Sequence, residues 1–183
     1  MSATAPAKPE ANEYASYYEK YVSLVPDADV VETLRRQLED TLALLGGITE
    51  ERAAHRYEPG KWSVKQLVGH IVDAERIFAY RALAIARGEQ QSLPGMDQDE
   101  YMAGVDFDAR TLADLADELA HVRRANVLMF RALSADAWAR RGTASDNEVT
   151  VRALAHIIAG HEKHHVNILR ERYLLLREIE ARL

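Results

Sequence analysis

The chain of 183 residues contains no cysteine and has few glycines and prolines, nine and five respectively. The absence of cysteine excludes disulfide bonds, thiolate metal sites and a cysteine nucleophile. No apolar run approaches the ~20 residues needed to cross a bilayer. Residues 1–13 also lack the apolar stretch of a signal peptide. These absences favour a cytoplasmic protein with no membrane-spanning segment.

Basic residues are also fewer than acidic ones. Lysine and arginine number 23 against 29 acidic residues, so the net charge is −6. Proteins that bind nucleic acid need a basic surface, and so do proteins that dock on anionic membranes. We therefore expect neither kind of partner. The hydrophobic fraction of 48% is enough for a sizeable core and too high for general disorder.

The N-terminal region differs in composition from the rest of the chain. Residues 1–13 are small, polar and proline-containing, which predicts a flexible arm, either disordered or draped over the body. A single domain is then expected over residues 14–183. Four tyrosines follow the arm at one-turn spacing on a short helical segment: Tyr14, Tyr17, Tyr18 and Tyr21. Packing on the main body is favoured for them, while covering a groove of the same subunit or of a partner stays open.

Apolar residues recur at helical spacing in four long stretches, which predicts an all-α four-helix bundle. The stretches run from about Asp29 to Leu45, from the N-cap Ser63 to Gly88, from about Thr111 to Leu133, and from the N-cap Thr150 to roughly Arg177. Apolar alternation with β-branched residues is absent, so no sheet is predicted.

Two long links separate these helices. The acidic link 88–110 is long for a compact domain unless it crosses the bundle or covers a site. A crossover there would let the second and third helices run parallel. The other link, 134–149, contains Trp138, which we expect to close one end of the core.

Three of the seven histidines fall on inward-facing helix positions. Each helical residue advances about 100° around the helix axis. His161 and His165 therefore lie about 20° on either side of Leu154, the centre of the apolar stripe of the fourth helix. On the second helix, His70 lies about 60° from Leu67, at the edge of the stripe. Two histidines spaced i, i+4 can offer two nitrogens to one metal ion, and a third imidazole leaves an open position for water or substrate. The alternative, that each is a hydrogen-bonded core histidine, stays open.

The remaining histidines are not predicted to bind metal. His156 points away from the pair and is expected in solvent, His121 lies off its stripe, His55 lies in a loop, and His164 is expected to be exposed or to support a ligand.

The string from His161 through Glu162 to His165 also matches the HExxH motif of zinc proteases. The downstream carboxylates Glu171, Glu178 and Glu180 continue the same helix and cannot fold back to an ion. We therefore expect Glu162 to be exposed or to support a ligand rather than to act as a general base.

Three further polar residues lie near the inward-facing sides of their helices. Asn126 is expected to satisfy a neighbouring polar group, with orientation of a ligand as the alternative. Arg81 and Arg172 are interpreted as bundle-end salt bridges, with binding of an anionic substrate at the cavity mouth as the alternative.

The sequence resembles the DinB-like (damage-inducible) superfamily over about residues 28–173, and two groups of residues carry this resemblance. On the second helix they are Lys61-Trp62-Ser63-Val64 and Gly69-His70; on the fourth they are Thr150-Val151, His156 and the HExxH string. For residues 14–183 the resemblance implies a DinB-like four-helix bundle with a crossover between helices two and three, often a homodimer. It also implies a divalent metal, commonly nickel or zinc, on His70, His161 and His165.

The superfamily includes thiol-dependent transferases and a thiol-dependent isomerase. The resemblance therefore implies a metal-dependent thiol transferase that uses a low-molecular-weight thiol and a small-molecule substrate. Two alternatives stay open: a non-catalytic metal- or ligand-binding stress-response protein, and a metal-dependent hydrolase.

Overall fold

A computed structural model describes residues 6–174 of the chain. Four long helices build the bundle: α1 (Val30–Gly46), α2 (Val64–Ala86), α3 (Leu112–Arg131) and α4 (Val151–Ile168). A π-helical turn, Leu169–Leu174, continues α4. The predicted four-helix bundle is confirmed; the end of the fourth pattern near Arg177, with Glu178 and Glu180, lies outside the described residues.

Side-chain caps fix where each helix begins. The caps are Asp29, Ser63, Thr111 and Thr150, and each accepts a hydrogen bond from a backbone N–H of the first turn. Ser63 and Gln66 form the predicted reciprocal capping box. Such caps contribute about 1 kcal/mol each. Local chemistry therefore defines the helix starts.

The contacts between helices show that α2 and α3 run parallel. Ser63, at the start of α2, bonds Asp108 just before α3, and midway along both helices Glu75 pairs with Arg123. In contrast, α4 runs antiparallel to α2, because Tyr173, beyond its end, bonds the carbonyl of Trp62. The link 88–110 is therefore the predicted crossover.

The crossover carries its own short structure, a helix Gln98–Ala103 and a 3₁₀ turn Phe107–Ala109. It packs closely on α2, because a Cβ on Gly69 would lie 2.5 Å from the Phe107 ring. This contact explains why glycine precedes His70.

A small antiparallel hairpin corrects the prediction that the chain has no sheet. Its strands are β1 (Arg141–Ala144) and β2 (Asn147–Thr150), and the turn residues Ser145 and Asp146 both have positive φ. The two strands hold only three residues of the types enriched in strands, Thr143, Val149 and Thr150, so their composition does not predict a sheet. Just before the hairpin, Trp138 is buried and stacks on Phe130, so it closes the end of the core as predicted.

Shorter helices complete the fold: Ala11–Glu13, Ser16–Tyr18, Glu19–Val22, Glu50–Ala53 and Ala135–Ala139. Within the predicted arm, Glu13 is buried and forms an ion pair with Arg152 on α4. Farther along, the backbone of Tyr21 approaches Gly160 so closely that a Cβ there would lie 2.1 Å from the Tyr21 oxygen. The N-terminal segment from Glu13 onward therefore covers one face of α4.

A polar layer crosses the middle of the bundle between two apolar clusters. Its buried members are Thr41, His70, Glu75, Arg123, His161, Glu162 and His165. Among the residues from 6 to 174, no helix is long and apolar enough to span a membrane.

Candidate metal centre

The three histidines predicted as ligands meet at one point in the polar layer. Nε2 of His161 lies 3.1 Å from Nε2 of His70 and 3.1 Å from Nε2 of His165. One nitrogen from each of the three buried rings lies within 4.8 Å of the others. The helix geometry inferred from the sequence therefore brings together the expected side chains, from α2 and α4.

The spacing of these nitrogens fits a shared metal ion. With metal–nitrogen bonds of about 2.0–2.1 Å, neighbouring ligand atoms lie about 3.3 Å apart in a tetrahedral site and about 2.9 Å apart in an octahedral one. The observed 3.1 Å falls between these values. Imidazole nitrogen is also a donor that zinc and nickel accept. The residues present therefore fit a divalent ion.

Burial keeps the three rings in the neutral form that binds metal. Burial lowers the pKa of His70 to about 4, against a smaller opposing effect of Asp99. Burial and then the neighbouring His70 ring lower the pKa of His165 to about 3. The pKa of His161 lies well below its usual value, first through burial and then through the other two rings. At neutral pH no proton has to leave before an ion binds.

Aromatic side chains hold the rings in place. Trp62, from the sequence pattern before α2, lies 4.9 Å from the His70 ring between centroids. Tyr21 and Phe78 contact His161 edge-on, at 5.2 Å and 6.0 Å. The orientation of the imidazoles is therefore set by packing as well as by the helices.

Glu162 was expected to be exposed or to support a ligand; it is buried, so the first of these expectations is wrong. One carboxylate oxygen accepts from Arg123 Nη1 at 2.8 Å and the other from Thr41 Oγ1 at 2.7 Å. Arg123 also donates to both oxygens of Glu75, each at 2.7 Å. Sequence reasoning missed Arg123, although it lies on the apolar stripe of α3 four residues after Leu119. An arginine at such a position signals a buried carboxylate partner.

His156 also corrects a prediction, since it is fully buried rather than solvated. Its Nδ1 bonds the carbonyl of Arg152 at 2.8 Å. The cause is the N-terminal segment, which covers the face of α4 that four helices alone would leave in water. His121 is exposed, whereas His55 and His164 are half-buried.

The other predicted polar positions have mixed outcomes. Asn126 donates to Glu75 Oε1 at 3.1 Å, so it satisfies a neighbouring polar group as expected. Arg172 is exposed, so its predicted inward position is wrong. Arg81 is buried, but within residues 6–174 it forms no salt bridge; its Nη2 donates to the Pro94 carbonyl and the Ser145 hydroxyl.

A cavity of about 370 Å³ opens beside two of the three histidines, His70 and His161. Its walls come from the tyrosine segment, from α2, from the crossover and from the hairpin turn; among the lining residues are Tyr17, Tyr18, Tyr21, Phe78, Arg81, Met96, Asp97, Asp99 and Ser145. Three of the four clustered tyrosines therefore cover a groove of the same chain, and the crossover covers the site.

Two solved structures share the architecture. YfiT from Bacillus subtilis, described as a probable metal-dependent hydrolase with an unusual four-helix bundle topology, aligns with a TM-score of 0.67 at 16% identity over 94% of this chain and 93% of its own. A mycothiol-dependent maleylpyruvate isomerase aligns with a TM-score of 0.63 at 14% identity. That alignment covers 79% of this chain and 61% of the isomerase. At these identities the likeness concerns the fold.

The sequence itself decides the family. No curated protein sequence gives a significant match. The model of the DinB superfamily, however, matches residues 33–169, which include all four long helices from the first turn of α1 onward and the three clustered histidines. The chain belongs to the DinB superfamily.

Proposed function

We propose that His70, His161 and His165 hold a divalent metal ion, nickel or zinc, and that the protein is a metal-dependent thiol transferase. One observation carries the proposal: the cavity reaches the side chains of two of the three clustered histidines. A structural metal site is closed by protein ligands, whereas a catalytic one keeps a position open toward solvent or substrate.

A divalent ion lowers the pKa of a thiol bound to it, so that the sulfur reacts as an anion at neutral pH. In a substitution, the sulfur forms a bond to an electrophilic carbon, the leaving group departs with its bonding pair, and the thiol proton passes to solvent. The nucleophile comes from outside the protein, which agrees with a chain that has no cysteine.

The chain's own residues bind and orient the reactants. Phe78 and Tyr21 pack against His161 and line the cavity, so they shield the reacting sulfur from bulk water. Burial and then the hydrogen bond with the Tyr17 hydroxyl raise the pKa of Tyr21, so its hydroxyl stays protonated beside the cavity.

Hydrolysis is the second candidate, because YfiT is described as a probable metal-dependent hydrolase. A hydrolase of the HExxH type needs a glutamate that takes a proton from water. Both Glu162 oxygens instead accept hydrogen bonds from buried partners, Arg123 and Thr41. This arrangement favours thiol transfer over hydrolysis by that mechanism. A non-catalytic binding protein is the third candidate.

The test combines metal analysis with a turnover assay. Elemental analysis should find about one nickel or zinc per chain in the wild type and none in His70→Ala. The loaded protein is then mixed with 1-chloro-2,4-dinitrobenzene and a panel of low-molecular-weight thiols, and thioether formation is followed by absorbance. Metal-dependent turnover supports the proposal. Ester cleavage without thiol would favour the hydrolase, and metal binding with no turnover would favour the binding protein.

The homodimer implied by the family is part of this proposal, and sedimentation velocity tests it. A mass of one chain, 20.6 kDa, at all loading concentrations would contradict it.

A further inference from the structure

Arg81 is a buried cation without a carboxylate partner within residues 6–174. Its side chain is 3% exposed, and the hydrogen bonds of its Nη2 go to two neutral oxygens, Pro94 O at 2.7 Å and Ser145 Oγ at 3.1 Å. In contrast, Arg123, which is fully buried, is held by two carboxylates. Buried arginines are normally paired, because removing a charge from water is costly. Arg81 also interacts with the hydroxyl of Tyr18, another neutral group. A guanidinium has five N–H donors, so donors remain for a further acceptor.

Arg81 faces the same cavity as the histidine cluster. It follows His70 by eleven residues on α2, about 16 Å along the axis and on the same face. Phe78 lies between the two groups: Arg81 Cζ is 5.7 Å from the Phe78 ring centre, which is 6.0 Å from the His161 ring. A small molecule lying across this phenyl ring can therefore touch both ends of the cavity.

We propose that Arg81 binds a carboxylate of the small molecule that occupies the cavity while the other end of that molecule reaches the histidine cluster. A planar guanidinium matches a carboxylate through two parallel hydrogen bonds. The placement of the reactive end of the molecule at the histidine cluster rests on the proposed function. The anion site itself depends only on Arg81. Asp97 and Asp99 also line the cavity, but both are exposed and therefore screened by water.

The carboxylate can belong to the thiol or to the second substrate, and two titrations separate these sources. In the first, cobalt-loaded protein is titrated with mercaptoalkanoates from mercaptoacetate to mercaptohexanoate and with neutral mercaptoalcohols of equal length. The thiol–cobalt absorption band reports affinity. In the second, metal-free protein is titrated calorimetrically with glutarate and adipate, which carry no thiol.

If the thiol carries the anion, one chain length of mercaptoalkanoate binds at least tenfold more tightly than its alcohol. If the second substrate carries it, the dicarboxylate binds while the thiols show no preference for charge. Either result supports an anion site. Equal affinities for acids and alcohols together with no dicarboxylate binding would overturn it. A cobalt spectrum that no thiol changes would count against the proposed function, while the dicarboxylate titration would still decide the role of Arg81.

Two variants and a control assign the effect. Arg81→Gln should remove the preference for the anion and leave cobalt stoichiometry and the affinity for neutral thiols unchanged. Arg81→Lys keeps the positive charge but lacks the planar guanidinium that donates two parallel hydrogen bonds, so it should retain part of the preference. Arg87→Gln is the matched control, since Arg87 directly follows the last residue of α2 and is exposed. An equal loss in Arg87→Gln would mean that net charge, rather than the site, governs binding.

Discussion

Replacing Arg123 with methionine tests the polar layer at its centre. Arg123 is fully buried and makes four hydrogen bonds: two to Glu75, one to Glu162 and one to the Leu34 carbonyl. Methionine fills much of the volume and leaves both carboxylates buried without their cation. Breaking one buried ion pair costs about 3–5 kcal/mol. With two carboxylates affected, we expect a loss of at least about 4 kcal/mol at pH 7, a large part of the roughly 5–15 kcal/mol of a typical domain.

Urea unfolding followed by circular dichroism measures this loss. The matched control is Arg124→Met, the next residue on α3, which is exposed and should change the free energy of unfolding by less than about 0.5 kcal/mol. The penalty comes from unpaired charge, so adding Glu75→Gln and Glu162→Gln to Arg123→Met should recover part of it. Equal losses for the two arginine variants, or no recovery in the triple variant, would refute this account of the layer.

Three further predictions concern the metal centre and its cover. His161→Ala and His165→Ala should each abolish stoichiometric metal binding, measured by elemental analysis, while the circular dichroism of the bundle persists because the helix stripes are apolar. Protons compete with metal only near and below the ligand pKa values, about 4 for His70 and about 3 for His165, so affinity measured by competition titration should be flat from about pH 6 to 8 and fall below about pH 5. Gly160→Ala should displace the Tyr21 backbone, lower the free energy of unfolding by about 1–3 kcal/mol and increase tyrosine exposure to solvent.

Two of these predictions have a matched control variant. His121→Ala removes an exposed histidine and should keep the metal. Gly46→Ala adds a methyl where nothing lies within 4 Å and should not destabilise the fold. Metal retained in both ligand variants, an affinity that falls steadily from pH 8 to 6, or equal stability of the two glycine variants would each contradict the corresponding reasoning.

The parts of the fold that depend on local sequence were predictable. Helix starts follow from caps such as Ser63 and Thr150, and the meeting of His161 with His165 follows from i, i+4 spacing. The length of the link 88–110 predicted that it crosses the bundle or covers a site, and it does both. In each case the information lies within one helix or one link.

The parts that depend on distant packing were not predictable in the same way. His156 is buried because a segment more than a hundred residues away in the sequence covers its face of α4. The apolar periodicity of α4 gives no information about that segment. Glu162 is buried because Arg123 on another helix neutralises it. The position of Glu162 on α4 does not indicate this burial, because the burial depends on the partner.

The charges in the polar layer connect its ion pairs to the metal centre. Three neutral imidazoles bring no negative charge to a divalent ion, and a buried dication without compensation is costly. The ligand-bearing helices supply that compensation themselves: Glu75 follows His70 on α2, and Glu162 follows His161 directly on α4. Against these two carboxylates the layer holds only the single positive charge of Arg123. The net negative charge of the layer would therefore offset part of the charge of a divalent ion held by the three histidines.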